Sequence, residues 1–268
     1  MNILVCIKQV PDTTIIKIDP VKHTLIRTGV PSILNTFDTY ALETALQLRE
    51  AQGEGKITCI SMGPDQAKAI LREALSVGAD EAYLISDRAF GGADTLATSR
   101  TLAAAIQLLE ERTGQRFDRI LCGKQAIDGD TGQVGPELSQ HLGRSLITYA
   151  VGLEFTEDGC VKAKRESDDG YDYYTATLPA VVSMTRTPYD MRWPNLTRYR
   201  KARVADIPVL TAKEVIVPED KRGLKGSPTQ VKRTYTPVNE KNGQKIEGLP
   251  AGEAAAKLVE LMSAAKLI

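Results

Sequence analysis

The residues whose spacing carries the most chemistry lie at 119–137, RILCGKQAIDGDTGQVGPE. An apolar run there reads as a buried strand. It passes into a loop carrying Gly123, Gly129, Gly132 and Gly135, and the pattern predicts a helix entered at Pro136. A strand, a glycine-rich loop and a helix start together make a phosphate cradle. Glycine lets backbone N–H groups approach an anion closely, and the unpaired N–H groups and positive dipole end of the next helix favour negative charge. The spacing matches neither G-x-G-x-x-G nor G-x-x-x-x-G-K-[ST]. By spacing alone, a nucleotide site and an ordinary long glycine loop both remain open.

Other reactive groups are sparse. His23 and His141 fall in different elements, so sequence proximity builds no metal cluster or histidine triad. Asp128 and Asp130 could hold a divalent cation beside phosphates, but acids in a glycine loop more often cap or turn the chain, and that reading is preferred. Asp87, Arg88, Asp94, Thr95, Thr98 and Ser99 crowd hydrogen-bonding groups at a helix entry, where plain capping accounts for them. The basic run 198–203 reads as a solvated face, or as a protein-docking loop given Trp193 and Leu196 beside it. No Ser, Cys or Lys is set up as a nucleophile.

The elements that must position these groups follow from composition and period. The 268 residues suffice for one large or two modest domains. Lys+Arg and Asp+Glu both number 34, so the charge balance points away from nucleic acid and anionic membranes, toward small molecules or proteins. Cys6, Cys59, Cys122 and Cys160 form no C-x-x-C pair, and three sit in apolar runs, as expected of reduced thiols in a cytoplasmic protein. No apolar run is long enough to insert into a membrane, and no export signal is visible at Met1-Asn2.

Residues 2–10 are nearly all apolar, the pattern of a central strand covered on both faces. A hairpin-like excursion to Pro31 is expected from Ile16, Ile18 and Leu25 alternating around Asp19-Pro20. A helix follows, with Asp38 as its N-cap and Ala41, Leu42, Ala45, Leu46 and Leu48 as its buried stripe. Strands at 56–62, 82–85 and 119–122 alternate with helices after Gly63-Pro64-Asp65 and over 95–111. This predicts α/β with a Rossmann-like parallel sheet, helices on both faces, and the loops after four strands converging on one site at the carboxyl edge. Strands at 151–155, 161–165, 171–178 and 180–185 read as a meander forming an antiparallel extension, residues 187–203 as an exposed basic and aromatic loop. Residues 206–250 read as an extended arm that needs a partner subunit or its own domain to lie on, ending in a short amphipathic helix at 252–267. The domains expected are 1–205, nucleotide-binding, and 206–268, the C-terminal arm and helix.

At Gly123-Lys124-Gln125-Ala126-Ile127-Asp128 and the Gly129-Asp130-Thr131-Gly132-Gln133-Val134 after it, the chain resembles the β subunit of electron-transfer flavoproteins. The likeness extends through VCIKQVPD at 5–12, residues 35–38, SMGP at 61–64, residues 74–80, the meander with LPAVV, and residues 192–202. It implies a heterodimer with an α subunit that carries FAD in a mobile domain. Ordinary members hold a structural AMP in the β subunit; bifurcating members hold a second FAD there, which accepts hydride from NADH. The stretches 35–43, 86–99 and 129–137 resemble the bifurcating group. Thr36 stands where proline is common and Gly132 where alanine is common.

Carried over by position, Cys6, Asn35, Thr36, Phe37, Asp38, Met62 and Gly63 hold the adenosine end, the 123–134 loop holds the pyrophosphate, and Lys8 and Lys124 add charge. Asp94, Thr95 and Thr98 then face the flavin. Leu196 matches the leucine that anchors an acyl-CoA dehydrogenase, with Trp193 beside it. The implied partners are the α subunit, an acyl-CoA dehydrogenase, and ferredoxin or flavodoxin as second acceptor; no catalytic side chain and no metal is implied, because the flavin does the chemistry. Two other classes compete: an AMP-bound scaffold with no redox step of its own, and a stand-alone nucleotide-binding protein, against which the long arm argues.

Overall fold

The structure is a computed structural model that describes residues 1–12, 31–156, 159–232 and 243–268. The excursion expected at 13–30, including His23, lies outside the described residues. By compactness the chain divides into residues 1–233 and 234–268.

The first unit is built on a nine-stranded sheet. The elements that position the site are β1 (Asn2–Cys6), β2 (Gln9–Pro11), β3 (Ser32–Leu34), α1 (Thr36–Gln52), β4 (Lys56–Met62), α2 (Lys68–Val77), β5 (Glu81–Ile85), α3 (Thr95–Thr113), β6 (Arg119–Gly123) and α4 (Val134–Leu142). After these come β7 (Ser145–Phe155), β8 (Cys160–Ser167), β9 (Gly170–Thr177), β10 (Ala180–Met184), α5 (Leu196–Val204) and β11 (Val209–Leu210). The strand order is β11-β5-β4-β1-β6-β10-β7-β8-β9. All neighbours from β11 to β7 pair parallel; β7–β8 and β8–β9 pair antiparallel. β2 and β3 form a separate antiparallel pair.

Strand β1 explains why both faces are covered. Ile3 and Val5 enter one core with Leu42 and Leu46 of α1 and Leu71 of α2. Leu4 and Cys6, pointing the other way, enter a second core with Ile106 of α3 and Leu138 of α4. Each such side chain, fully buried, contributes about 1.5–3 kcal/mol. The chain leaves β1 for β4 and β5 on one side, then returns to β6 on the other, and α/β sheets bind ligands at such a reversal, here the carboxyl ends of β1 and β6.

Three local expectations are corrected. β10 is no meander strand: it runs parallel between β6 and β7, with all five residues buried, so it belongs to the doubly covered part of the sheet. β7 begins at Ser145, because its first residues pair with β10 before the strand turns into the antiparallel extension. The stretch expected as a loop at 187–203 contains helix α5, begun where the Asn195 side chain caps the Arg198 N–H at 2.8 Å after Pro194. Residues 206–232 lie across the first unit. β11 extends the sheet at β5, and Val215 and Val217 are buried in the α3 core. In the second unit, α6 (Ala251–Ala264) leaves Leu258 and Val259 half exposed.

Candidate functional site

The 123–135 loop leaves β6 beside α1, and two side chains in the first turn of α1 hold it there. Asn35 donates from Nδ2 to the Gln125 carbonyl at 2.9 Å and accepts the Ile127 N–H on Oδ1 at 3.0 Å. Asp38 accepts the Lys8 N–H at 2.7 Å on one oxygen and the Gly123 N–H at 3.0 Å on the other. One carboxylate therefore ties together the chain leaving β1 and the chain leaving β6. Asp38 was expected as the N-cap. That place belongs to Asn35, which makes no side-chain cap bond, because both side chains are spent on the loop. Burial pushes the Asp38 carboxyl up to about 7, against the pull of its hydrogen-bond donors.

Beyond this anchor the loop turns on itself. The Gly129 and Asp130 N–H groups both donate to the Ala126 carbonyl, and Asp130 and Gly132 take positive φ of 51° and 64°. Asp130 accepts Gln125 Nε2 at 2.8 Å, while Asp128 pairs with Lys8 Nζ at 2.6 Å. Both acids thus shape the loop, and no cluster able to hold a metal ion is found among the described residues. Helix α4 starts at Val134, two residues before Pro136. Its cap residue, Gln133, makes no side-chain cap bond. None of the N–H groups of Thr131, Gly132, Gln133, Val134 and Gly135 meets an acceptor among the described residues. Five successive free donors at a helix start fit a phosphodiester anion. Lys124 stands alongside, its Nζ 4.9 Å over the Tyr149 ring, with its N–H on the Met184 carbonyl.

Gly123 is required by contact. A Cβ there would lie 2.3 Å from Asp38 Oδ1 and 2.7 Å from the Phe37 backbone carbonyl carbon. Cys6 is the register partner of Cys122 across β1 and β6, and both thiols are buried and free. Thr36 is exposed and Phe37 half-buried at the α1 start. Met62 ends β4, and the Gly63 N–H crosses to the Ile85 carbonyl at 3.1 Å. All these residues meet at the carboxyl edge.

The 86–99 stretch arrives at the same edge. Thr95 Oγ1 lies 2.9 Å from Gln133 Oε1 and 3.2 Å from Glu137 Oε1, which joins the start of α3 to the start of α4. Glu137 keeps its other carboxylate oxygen buried with no hydrogen-bond partner. Asp94 caps α3 through the Ala97 N–H at 3.0 Å, and its second oxygen accepts the Thr229 N–H and hydroxyl at 3.0 and 2.8 Å. The Thr98 N–H donates to the Asp94 carbonyl.

Sequence reasoning missed the groups that brace this stretch from behind. Ser227 Oγ accepts the Asp94 N–H at 2.8 Å, the Ala212 N–H reaches Asp87, and the Leu224 N–H reaches the Gly91 carbonyl. These pairs are separated by more than 120 residues, and no local pattern announces them. Tyr149, a non-glycine residue at φ 57° whose hydroxyl would lie 3.9 Å from a Cβ on Gly132, was missed for the same reason.

A family model described as the electron transfer flavoprotein domain matches residues 22–215. The electron transfer flavoprotein subunit beta of Megasphaera elsdenii is 47% identical over 271 residues, covering all of both chains. The chain belongs to the electron transfer flavoprotein β-subunit family. It is also 41% identical to the caffeyl-CoA reductase–Etf complex subunit CarD of Acetobacterium woodii, over the whole of both chains. Protein FixA of Azorhizobium caulinodans is 41% identical over 240 residues, 88% of this chain and 85% of that one. The function is therefore electron transfer, as a β subunit that pairs with an α subunit, and the family implies flavin or AMP binding. Among the described residues no helix is long and apolar enough to cross a membrane.

Proposed function

We propose that this β subunit binds FAD at the carboxyl edge of its sheet and works in an electron-bifurcating αβ complex oxidising NADH. The observation that carries the reading is the run of free N–H groups at 131–135, joined through Thr95 to the polar start of α3. The free donors adjoin residues 94–98 through the Thr95–Gln133 contact, which favours a ligand long enough to span both stretches. Similarity to a subunit whose name joins Etf to caffeyl-CoA reductase supports electron exchange with an acyl-CoA enzyme.

The chemistry supplied by the bound flavin is two-electron acceptance from NADH and one-electron delivery. That chemistry would serve an acyl-CoA dehydrogenase, by way of the α-subunit FAD, and ferredoxin or flavodoxin as second acceptor. This chain's residues bind and orient. Asn35 and Asp38 fix the loop, the 131–135 donors receive the pyrophosphate, and Cys6, Met62 and Gly63 bound the adenosine end. Lys8 and Lys124 balance charge. Asp94 ties the start of α3 to Thr229, and Thr95 and Thr98 would stand beside the flavin. Trp193 and Leu196 form the docking point for the dehydrogenase.

The test is a nucleotide count on the purified αβ complex. Two FAD per heterodimer, one of them bleached by NADH, is the expected result. One FAD and one AMP would overturn bifurcation and leave a plain electron carrier.

A further inference from the structure

Trp193 is 94% exposed and Leu196 is 64% exposed. Apolar side chains of this size would lose water contact by folding back on the surface, so something holds them out. The chain on either side of them is anchored. Before them, Arg192 is clamped to helix α1. Its backbone N–H donates to Glu43 Oε2 at 3.1 Å, and its Nε lies 3.0 Å from the same oxygen. Its Nη2 bridges Glu43 Oε1 at 2.9 Å and Glu50 Oε2 at 3.1 Å, and its Nη1 reaches Glu50 as well. After Trp193, Asn195 caps α5, which begins at Leu196 and packs on α2 with Ala202 buried, and Arg72 Nε donates to the Ala205 carbonyl at 3.3 Å. Only Trp193 and Pro194 lie between Arg192 and Asn195.

Glu43 makes the clamp unusual. It is 5% exposed on the face of α1, among Leu42, Ala45 and Leu46, and a buried carboxylate is costly unless it is paired. Its partners are Gln47, one turn along, and the residue next to Trp193. An apolar side chain at 43 would serve the helix as well; an acid serves the loop. The two carboxylates hold the guanidinium from two directions, which fixes the plane of the group and with it the backbone at 192. Both carboxylates raise the Arg192 pKa, which holds the guanidinium in its charged form.

We propose that Arg192, held by Glu43 and Glu50, is a positioning residue that sets the angle at which Trp193, beside Leu196 at the start of α5, meets an acyl-CoA dehydrogenase. This rests on the docking role given to those two residues above. The binding advantage comes from pre-organisation: a two-residue span fixed at both ends loses little freedom when a partner closes on it. Because α1 also carries Asn35 and Asp38, the docking loop and the nucleotide cradle share one rigid helix.

The test uses the αβ complex with a short-chain acyl-CoA dehydrogenase and butyryl-CoA as electron donor. KM for the dehydrogenase and kcat are measured together with amide hydrogen exchange across 187–196. Arg192→Gln should raise KM about tenfold with kcat within about twofold, the equivalent of one lost charge-assisted anchor, and should speed exchange at 190–196. Arg192→Lys should recover part of both. Trp193→Ala should raise KM and leave exchange slow. Glu50→Gln, at an exposed position, weakens the clamp by a second route and serves if Arg192→Gln fails to fold. Wild-type KM and exchange in Arg192→Gln and Glu50→Gln, with KM raised in Trp193→Ala, would reject the clamp alone. Unchanged KM in Trp193→Ala and Leu196→Ala would reject the docking role, and the clamp with it.

Discussion

Asp38 is under opposing demands. Burial favours its neutral acid and pushes the pKa to about 7, while the Lys8 and Gly123 N–H groups favour the carboxylate. In the unfolded chain the group titrates near 3.8, so between about pH 4 and pH 7 the folded chain holds one more proton. The stability this group contributes is fully present below the unfolded value and is lost as pH rises through about 7. Asp38→Asn removes the titration. The stability of the natural protein relative to that variant should therefore fall on the order of 2 kcal/mol between pH 5 and pH 8. Urea midpoints of the two proteins at several pH values measure it, and a flat difference would contradict the buried-acid assignment.

At the scale of the element, the loop between β6 and α4 uses glycine for two separable reasons. At Gly123 the obstacle is contact, since an added Cβ would overlap Asp38 and Phe37 of α1. At Gly132 it is the backbone, at φ 64°, with the Lys124 carbonyl a comfortable 3.7 Å from an added Cβ. Gly132→Ala should therefore cost about 1 kcal/mol of strain and leave the loop in place. Gly123→Ala should cost about 2–3 kcal/mol, by forcing the strand end away from α1. It should also weaken nucleotide retention, because the Asn35 and Asp38 bonds depend on that approach. Denaturant unfolding gives the stabilities, and nucleotide released on gel filtration gives the retention; equal losses in the two variants would contradict the distinction.

Across the whole molecule, α1 links the 123–135 loop at the carboxyl edge to the stretch before α5 that carries the chain's single tryptophan. That arrangement supplies a reporter. Trp193 should emit at the red, water-exposed end of the tryptophan range in the isolated full-length chain. It should shift to the blue when an acyl-CoA dehydrogenase docks, and an emission unmoved by saturating dehydrogenase would argue against docking at this point. The 209–229 segment works at the same scale, since its bonds to Asp87, Gly91 and Asp94 hold the 86–99 stretch.

The sequence by itself determined the main elements. Apolar runs named β1, β4 and β6, periodic stripes named α1 to α3, and the glycines of 123–135 marked the loop between β6 and α4, because each of these rests on residues a few positions apart. Asp38 was legible as a residue at the helix start, but not as the tie between β1 and β6. Tertiary structure alone decided that tie, the insertion of β10 between β6 and β7, the bracing of Asp94 by Thr229, and the pairing of Glu43 with Arg192 across 149 positions. Burial decides which polar groups must find partners, and the register of distant strands decides which partners are within reach; neither quantity is written in the neighbouring residues.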